Sequence, residues 1–589
     1  MTPTSHSHAA ALPDFSVATT RPIFPPDEEA PLSPGRGPVL IPCLIALFSI
    51  AGIAFSLWLR TVPAGNPDPR LTYNVFYYLF ARHEPAGLLI VTLFNLAAAF
   101  FFRRRTPAVA IAMEQNRRAR LAGILIAIAT FAIATIGTPT VFHDYMLTAD
   151  ENLADFQARI FLRGRAQAEV PANWVDAVNV IRPTHTDYSK VTHLWNTNYL
   201  PVYAAMRAAF QSIDMQAILN PLLAALTILA LYGTAQNIWP ESKTSALVAI
   251  GLLASSSQFL LTSMTAYAMP AHLALNTVWL WLYSRPDRRS FYLAPLVGVL
   301  AIGLHQPIVH ALFVLPFLGR LVWQRQWRPV LIFGAVYLAG CVIWYGWKIH
   351  YAEPSAGPDG ISSIFKLANP RMTIIQPMNL LLIIGWASLA TPLLAVVGAK
   401  QFFNARPIVQ DAMLSCFLTF GFYYFFYLDQ AHGWGYRYFY GALSCFIIIA
   451  VAGFNRLSLL IGQRRALTFV VTGIALSILL QFPLRCFQAE KFVRPYARAA
   501  ETFRVINADI VAFDPLDAWY SADLIRNDPF LEGRPVIVSL FRLTPAAVAA
   551  LEKNGTTRFI TREELRRLGL FTIRRDHYGR DPFQLGRGK

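Results

Sequence analysis

The sequence predicts an α-helical polytopic membrane protein of about thirteen spans, followed by a small C-terminal α/β domain. Three observations predict it. Of 589 residues, 55% are hydrophobic and only 14% charged, whereas soluble domains carry about a quarter charged residues. The apolar residues come in long runs: 121–137, 218–239 and 380–398 each approach the ~20 residues that cross ~30 Å of hydrocarbon. From 484 onward the composition turns to that of a water-soluble domain.

Taken in order, residues 1–38 are rich in Pro, Ser and Thr and lack an apolar core, which predicts a disordered cytoplasmic tail and not a signal peptide. Two spans, 39–60 and 86–102, precede a connection holding Arg103, Arg104, Arg105, Arg117, Arg118 and Arg120 against Glu114 alone. Short loops with such an excess stay cytoplasmic, so 39–120 reads as two extra N-terminal helices and a basic inner loop. The further spans are 121–138, 216–238, 244–262, 268–283, 291–304, 307–322, 329–348, 376–398, 411–428, 436–454 and 465–483. Counting onward, the basic loops fall on every second connection: Lys243; Arg285, Arg288 and Arg289; Arg320, Arg325 and Arg328; Lys400 and Arg406; Arg456, Arg464 and Arg465. Fusing 291–322 into one helix would break that alternation, so two crossings or a re-entrant pair are predicted there.

The remaining connections face outward. The largest, 139–215, carries the acids Asp144, Asp150, Glu151, Asp155, Glu169, Asp176, Asp187 and Asp214. Within it Leu153, Phe156, Ile160 and Phe161 recur at helical spacing ahead of Gly164, which predicts an amphipathic helix along the membrane surface. In the tail, 484–589, strands are predicted at 510–513, 535–541 and 557–560. Thr544-Pro545 opens a helix ending near Gly555, and 561–568 forms a short one before Gly569.

The net charge of +17 does not point to nucleic acid, because the arginines gather in short loops between apolar runs as orientation signals do. Four of the five cysteines lie inside apolar runs (Cys43, Cys341, Cys416, Cys445), Cys486 ends one, and no CxxC spacing occurs, so neither disulfides nor a zinc site is indicated.

Chemistry, if present, belongs to four polar groups on the outer side. Adjacent carboxylates point in different directions, so in Asp150-Glu151 one can act as a base while the other binds or orients; an acidic pair in a loop is otherwise solvated surface. His305-Gln306-Pro307, with His310 beyond it, either caps a helix break or faces a cavity. Lys348 and His350 end a span, where a snorkelling lysine is the ordinary reading and a phosphate ligand the other. In His432-Gly433-Trp434-Gly435-Tyr436-Arg437-Tyr438 the aromatics suit an interface or a sugar face, and Arg437 suits a phosphate or an anchor.

Thr148-Ala149-Asp150-Glu151, Phe156-Gln157-Ala158-Arg159 and Leu162-Arg163-Gly164-Arg165 together resemble the first outer loop of the GT-C integral-membrane glycosyltransferases. These include the protein O-mannosyltransferases and the bacterial aminoarabinose and polyprenyl-phosphate-sugar transferases. Ser263-Met264-Thr265-Ala266-Tyr267 through Pro270-Ala271-His272 is similar to the hairpin that follows there, and His432 to Tyr438 to a Gly-Trp-Gly-x-Arg-Tyr turn of bacterial members. The resemblance covers roughly 120–455 and makes 121–483 the catalytic module. Two extra spans precede the acidic loop, the Tyr-Pro-Pro-Gly-type turn appears only as Asn198-Tyr199-Leu200-Pro201, and a second acidic position of some members is absent, with Met264 and Tyr267 nearby.

What the resemblance implies is a sugar moved from a polyprenyl-phosphate donor to an envelope glycan, lipid or protein, at the periplasmic face of a bacterial inner membrane. Asp150, with Glu151 second, would be the base, and His305, Lys348, His432, Arg437 and Tyr438 would bind substrate. No particular cofactor is indicated, and a divalent cation, magnesium or manganese, stays open. Two other classes compete. A transporter or lipid flippase would need ionisable groups at membrane depth or broken-helix repeats. A polymerase or ligase would carry its large outer loop late in the chain, whereas here it is early.

Overall fold

The computed structural model describes residues 37–62, 75–103, 118–351, 370–425, 430–515, 520–541 and 543–570. The predicted tail up to residue 36, most of the connections 103–120 and 349–375, the end of the span 411–428, and the chain from 571 lie outside them.

Seven helices are long and apolar enough to cross a bilayer: Val39–Leu59, Val75–Arg103, Arg118–Phe142, Gln216–Ile238, Trp327–Tyr351, Arg437–Ile461 and Gln463–Arg504. Two bent pairs raise the number to nine among the described residues, and Pro307–Trp323 and Pro407–Phe422 are shorter apolar helices. Thirteen full crossings are therefore not reproduced, because hydropathy averages over bends. The run 376–398 breaks into Met372–Trp386 and Thr391–Ala399, set 117° apart. Ala387 is extended there, and Pro392 starts the second helix with its fixed φ. The run 244–262 bends by 61° between Lys243–Ala254 and Ser257–Ser263, where the Ser256 side chain accepts from the Phe259 amide. Met269–Tyr283 and Arg288–Ile302 hold 15 residues each, about 22 Å of helix and short of ~30 Å. The chain does break between Ile302 and Pro307.

The outward faces of the long helices are apolar. Leu40, Leu44 and Leu47 on the first, Leu121, Leu125 and Ile128 on the third, and Leu338 and Val342 on Trp327–Tyr351 are all exposed. Water would oppose such surfaces and hydrocarbon tolerates them, so the chain is a multi-pass membrane protein.

Inside, the spans are less free of charge than the sequence suggests. Arg485 donates to Glu84 at 2.7 Å and lies 4.1 Å over the Trp386 ring, while Trp386 Nε1 donates to Glu84 at 3.0 Å. Arg320 is not a loop cation: it is buried and donates to Asp411 at 2.6 Å and to the Pro407 carbonyl at 2.8 Å. Each charge has its counter-charge, which is the condition for keeping it in an apolar interior.

Above the bundle stands a head built from two stretches distant in sequence. In the 139–215 connection, Ala149–Leu162 is helical and Gly164 follows it at φ +68°. Its apolar stripe, expected to lie on the membrane, is instead taken up by protein, with Phe156 against Trp195 at 5.5 Å between ring centroids. β1 (Ala168–Glu169), β2 (Thr186–Tyr188) and β3 (Leu194–Thr197) form an antiparallel sheet with β3 central. After the last span the helix does not stop near 483; a π turn at Ser477–Gln481 leads straight into Phe482–Arg504. Then β4 (Ile510–Phe513), β5 (Val536–Ser539) and β6 (Thr557–Ile560) form a parallel sheet with β4 central. Pro545–Asn554 joins β5 to β6, with Thr544 accepting from the Ala547 amide at 3.2 Å. The two sheets share one core: Ile510, Val536 and Val538 pack with Ile160, Trp174 and Trp195. Trp195 Nε1 donates to the Pro529 carbonyl at 2.8 Å, and Asn527 donates to the Ile181 carbonyl at 2.7 Å.

Candidate active site

Asp150 and Glu151 occupy the first turn of Ala149–Leu162, where the positive end of the helix favours carboxylates. Successive helical side chains diverge by about 100°, and the two acids have different partners. Glu151 turns back: one oxygen accepts from the Thr148 amide at 3.1 Å and the other from the Ala266 amide at 3.2 Å. It closes the helix start, ties it to the 263–267 connection, and does not line the cavity. Asp150 faces a cavity of about 580 Å³ at the mouth of the bundle. Arg437 donates to one of its oxygens at 2.7 Å and the Tyr199 hydroxyl to the other at 2.5 Å.

The turn that carries Arg437 is held from within. Gln430 accepts from the Arg437 amide at 2.8 Å and donates to the Gly435 carbonyl at 3.0 Å. Gly435 has φ +84°, a conformation that disfavours other residues, and a Cβ there would meet Gln258 at 2.7 Å. Tyr438 stacks on Tyr423 with centroids 4.4 Å apart. His432 stacks on Phe492 and faces the Tyr267 hydroxyl at 3.4 Å. His305 packs against the Tyr199 ring at 3.8 Å.

Asp150, His305, His432, Arg437 and Tyr438, five of the residues singled out in the sequence, thus line one cavity. Lys348 does not: it is exposed and donates to the Asn198 carbonyl at 2.9 Å. The cavity also takes His185, Tyr199, His272, Arg371, Tyr520 and Asp523, which the sequence reading did not select. Tyr520 and Asp523 come from the C-terminal segment, more than three hundred positions from Asp150, and Asp523 accepts from the Ala149 amide at 3.0 Å. No local motif marks them, because their nearness is created by the shared core of the head.

Burial alone would raise the Asp150 carboxyl, but Arg437, assisted by the Tyr199 hydroxyl, outweighs it and holds the group at about 2. Burial pushes Glu151 up to about 7 against the amides of Thr148 and Ala266. It pushes Asp523 up to about 7 as well. Burial lowers His305 to about 4, with Arg437 adding to the effect and Asp150 opposing it. His432 is lowered to about 3 by burial and then by Arg437. Both imidazoles are neutral at physiological pH, so His305 does not supply a cation, and Arg437 faces Asp150 as its fixed counter-charge. Among the described residues, no three His, Cys, Asp or Glu side chains converge to hold a metal ion.

No family model matches the sequence, and no curated protein matches it. Among solved structures, ArnT from Cupriavidus metallidurans bound to undecaprenyl phosphate superposes with a TM-score of 0.50 at 12% identity, over 74% of this chain and 88% of that one. ArnT from the same organism in the apo state gives 0.47 at 12% identity, over 70% and 86%. At that identity the likeness is one of fold alone, and over most of its length this chain folds as that ArnT does.

Proposed function

We propose that this chain is a membrane glycosyltransferase that moves a sugar from a polyprenyl-phosphate donor to an acceptor hydroxyl on an envelope glycan, lipid or protein. The observation that carries the reading is one cavity at the mouth of an apolar bundle, in which an ionised carboxylate faces an arginine at 2.7 Å. A donor of this class keeps its chain in the bilayer and its phosphate at the surface, where such a cavity lies. The ArnT that shares the fold was crystallised with undecaprenyl phosphate, a lipid phosphate of the same class. The active side would face the periplasm of a bacterial inner membrane.

In the resting site Arg437 and Tyr199 occupy both oxygens of Asp150, which leaves it a weak base. A donor phosphate competes for Arg437. Once the guanidinium turns to the phosphate, burial governs Asp150 and its basicity rises, so arrival of the donor prepares the base. The acceptor oxygen then attacks the anomeric carbon, its proton passes to Asp150, and the bond from that carbon to the phosphate oxygen breaks. Arg437 meets the charge on the departing phosphate. One displacement inverts the anomeric centre. No step here runs through a divalent cation.

A transporter would aim its broken helix ends at the substrate path. At the 117° break they are instead satisfied by protein: Ser477 accepts from the Leu389 amide at 2.8 Å, and Gln481 donates to the Gly385 carbonyl at 2.8 Å.

The test is transfer of labelled sugar from polyprenyl-phosphate donors to an envelope extract by purified protein in lipid. Asp150→Asn, correctly inserted, should lose about 100-fold or more in rate. Glu151→Gln, whose single amide oxygen can keep only one of the two backbone contacts but whose side chain lies outside the cavity, should stay within several-fold of the wild-type rate. Wild-type rates from Asp150→Asn sink the mechanism. Labelled lipid or solute crossing the bilayer with no transfer from any donor sinks the reaction class.

A further inference from the structure

A second cavity, about 890 Å³, lies behind the first, between the Phe482–Arg504 helix, the end of the Arg118–Phe142 span and the C-terminal sheet. The two share a wall: Asp150 and Asp523 face the first, while Asn152, Leu524 and Arg526 face the second. Six arginines line the second: Arg159, Arg494, Arg498, Arg504, Arg526 and Arg534. The acids there are Asp144, Glu501 and Asp528, and Asp528 is consumed by the amides of Phe530, Glu532 and Gly533 at 2.9, 2.7 and 3.2 Å.

Several guanidinium groups remain available. Arg494 is paired with Glu490, and Arg159 reaches Asp155 at 3.4 Å. Among the described residues Arg534 donates to the carbonyls of Leu531 and Gly533 and forms no ion pair. Arg498 and Arg504 are exposed and form no ion pair among the described residues. Arg526 lies 4.0 Å over the Tyr145 ring and donates through Nε to the Asp523 carbonyl at 2.7 Å, while its Nη2 is buried without a partner. A buried guanidinium N–H left unpaired is costly, and an anion removes the cost.

The extent of the charge decides the class of ligand. From Arg498 to Arg504 the helix advances about 9 Å at ~1.5 Å per residue, and Arg526 and Arg534 extend the charge across the groove from the C-terminal segment. One phosphate cannot touch both ends, and a headgroup lying in the membrane plane cannot follow a helix that climbs away from it. We propose that this groove binds an acidic saccharide whose carboxylate or phosphate groups are spaced along its chain, and that it holds the acceptor during transfer. The second clause rests on the transfer reading, and the first does not.

The test is calorimetric binding of hexagalacturonate to the full-length protein in nanodiscs at low salt, with maltohexaose as the neutral control. Wild type should bind the acidic oligomer and not the neutral one. Arg498→Gln with Arg504→Gln, both on the exposed side of a helix, should weaken binding about tenfold or more. Arg526→Gln should weaken it as well, and Asp150→Asn should bind as wild type does. Equal affinity in the Arg498/Arg504 double variant overturns the proposal. So does complete displacement by inorganic phosphate at equal anion concentration, which would reveal a single-anion site. Binding as described, in a protein that transfers no sugar to any acceptor, removes the acceptor clause and leaves the saccharide site standing.

Discussion

Neighbouring carboxylates in this chain do unlike work because one turn of helix sends them to different surroundings. Asp150 keeps its charge beside Arg437, while Glu151 caps the helix in a dry interior. This has a kinetic consequence. With Arg437 in place, Asp150 is ionised above about pH 2, and His305 and His432, held at about 4 and 3, add no transition between pH 5 and 8. Arg437→Gln removes the cation and leaves burial, which raises the carboxyl. The acid limb of kcat/KM should then move upward by at least about one pH unit, since kcat/KM reports the free enzyme. An unmoved limb would show that Arg437 does not control Asp150. Glu151 has a consequence for stability. Its folded value of about 7 lies above its ordinary 4.5, so its contribution is fully present below pH 4.5 and is lost as pH rises through about 7. Asp523 behaves in the same direction. The Tm of Glu151→Gln should therefore gain on that of wild type as the pH rises from 5 to 8. An identical slope in the variant would refute the assignment.

At the scale of elements, the bundle is set by bends and by close crossings. Thr391–Ala399 and Leu443–Ile461 approach through two glycines: a Cβ at Gly398 would overlap the Ile449 carbonyl, and one at Gly453 the Leu394 carbonyl. Backbone on both sides cannot yield as a side-chain tip can, so small residues are required where membrane helices touch. Gly453→Ala should cost about 2 kcal/mol or more, from overpacking, read as a lower Tm in detergent. Gly421→Ala, which meets open space, is the control and should leave the Tm unchanged. Equal shifts would refute the crossing. The apolar runs made such helices legible, but their bends were not. Residues 380–398 read as one span by hydropathy, although Ala387 turns the chain, because a hydropathy window sums transfer free energies and holds no dihedral angle. Glu84, Asp411 and Arg485 escaped for a related reason: whether a charge is paired depends on residues hundreds of positions away.

At the scale of the whole molecule, the head is one body made from two ends of the chain. Removing everything after Arg504 would strip Ile510, Val536 and Val538 from the core that Trp174 and Trp195 complete, and would take Tyr520 and Asp523 out of the cavity wall. The truncated protein should insert and yet transfer no sugar, and its 139–215 connection should become sensitive to trypsin, with Arg163 freed from Glu532. Retained protection would mean that the connection folds alone. By itself the sequence determined the membrane class, the acidic helix after the third span, the strands at 510–513 and 557–560, and the Gly-Trp-Gly turn that presents Arg437. These rest on composition, periodicity and capping, which act over a few residues. Only the tertiary structure decided that Asp150 and not Glu151 faces the cavity, that Lys348 stays outside it, and that Asp523 enters it. Those outcomes depend on which way a helix start turns and on a core closed between residues more than three hundred positions apart, information that no local pattern contains.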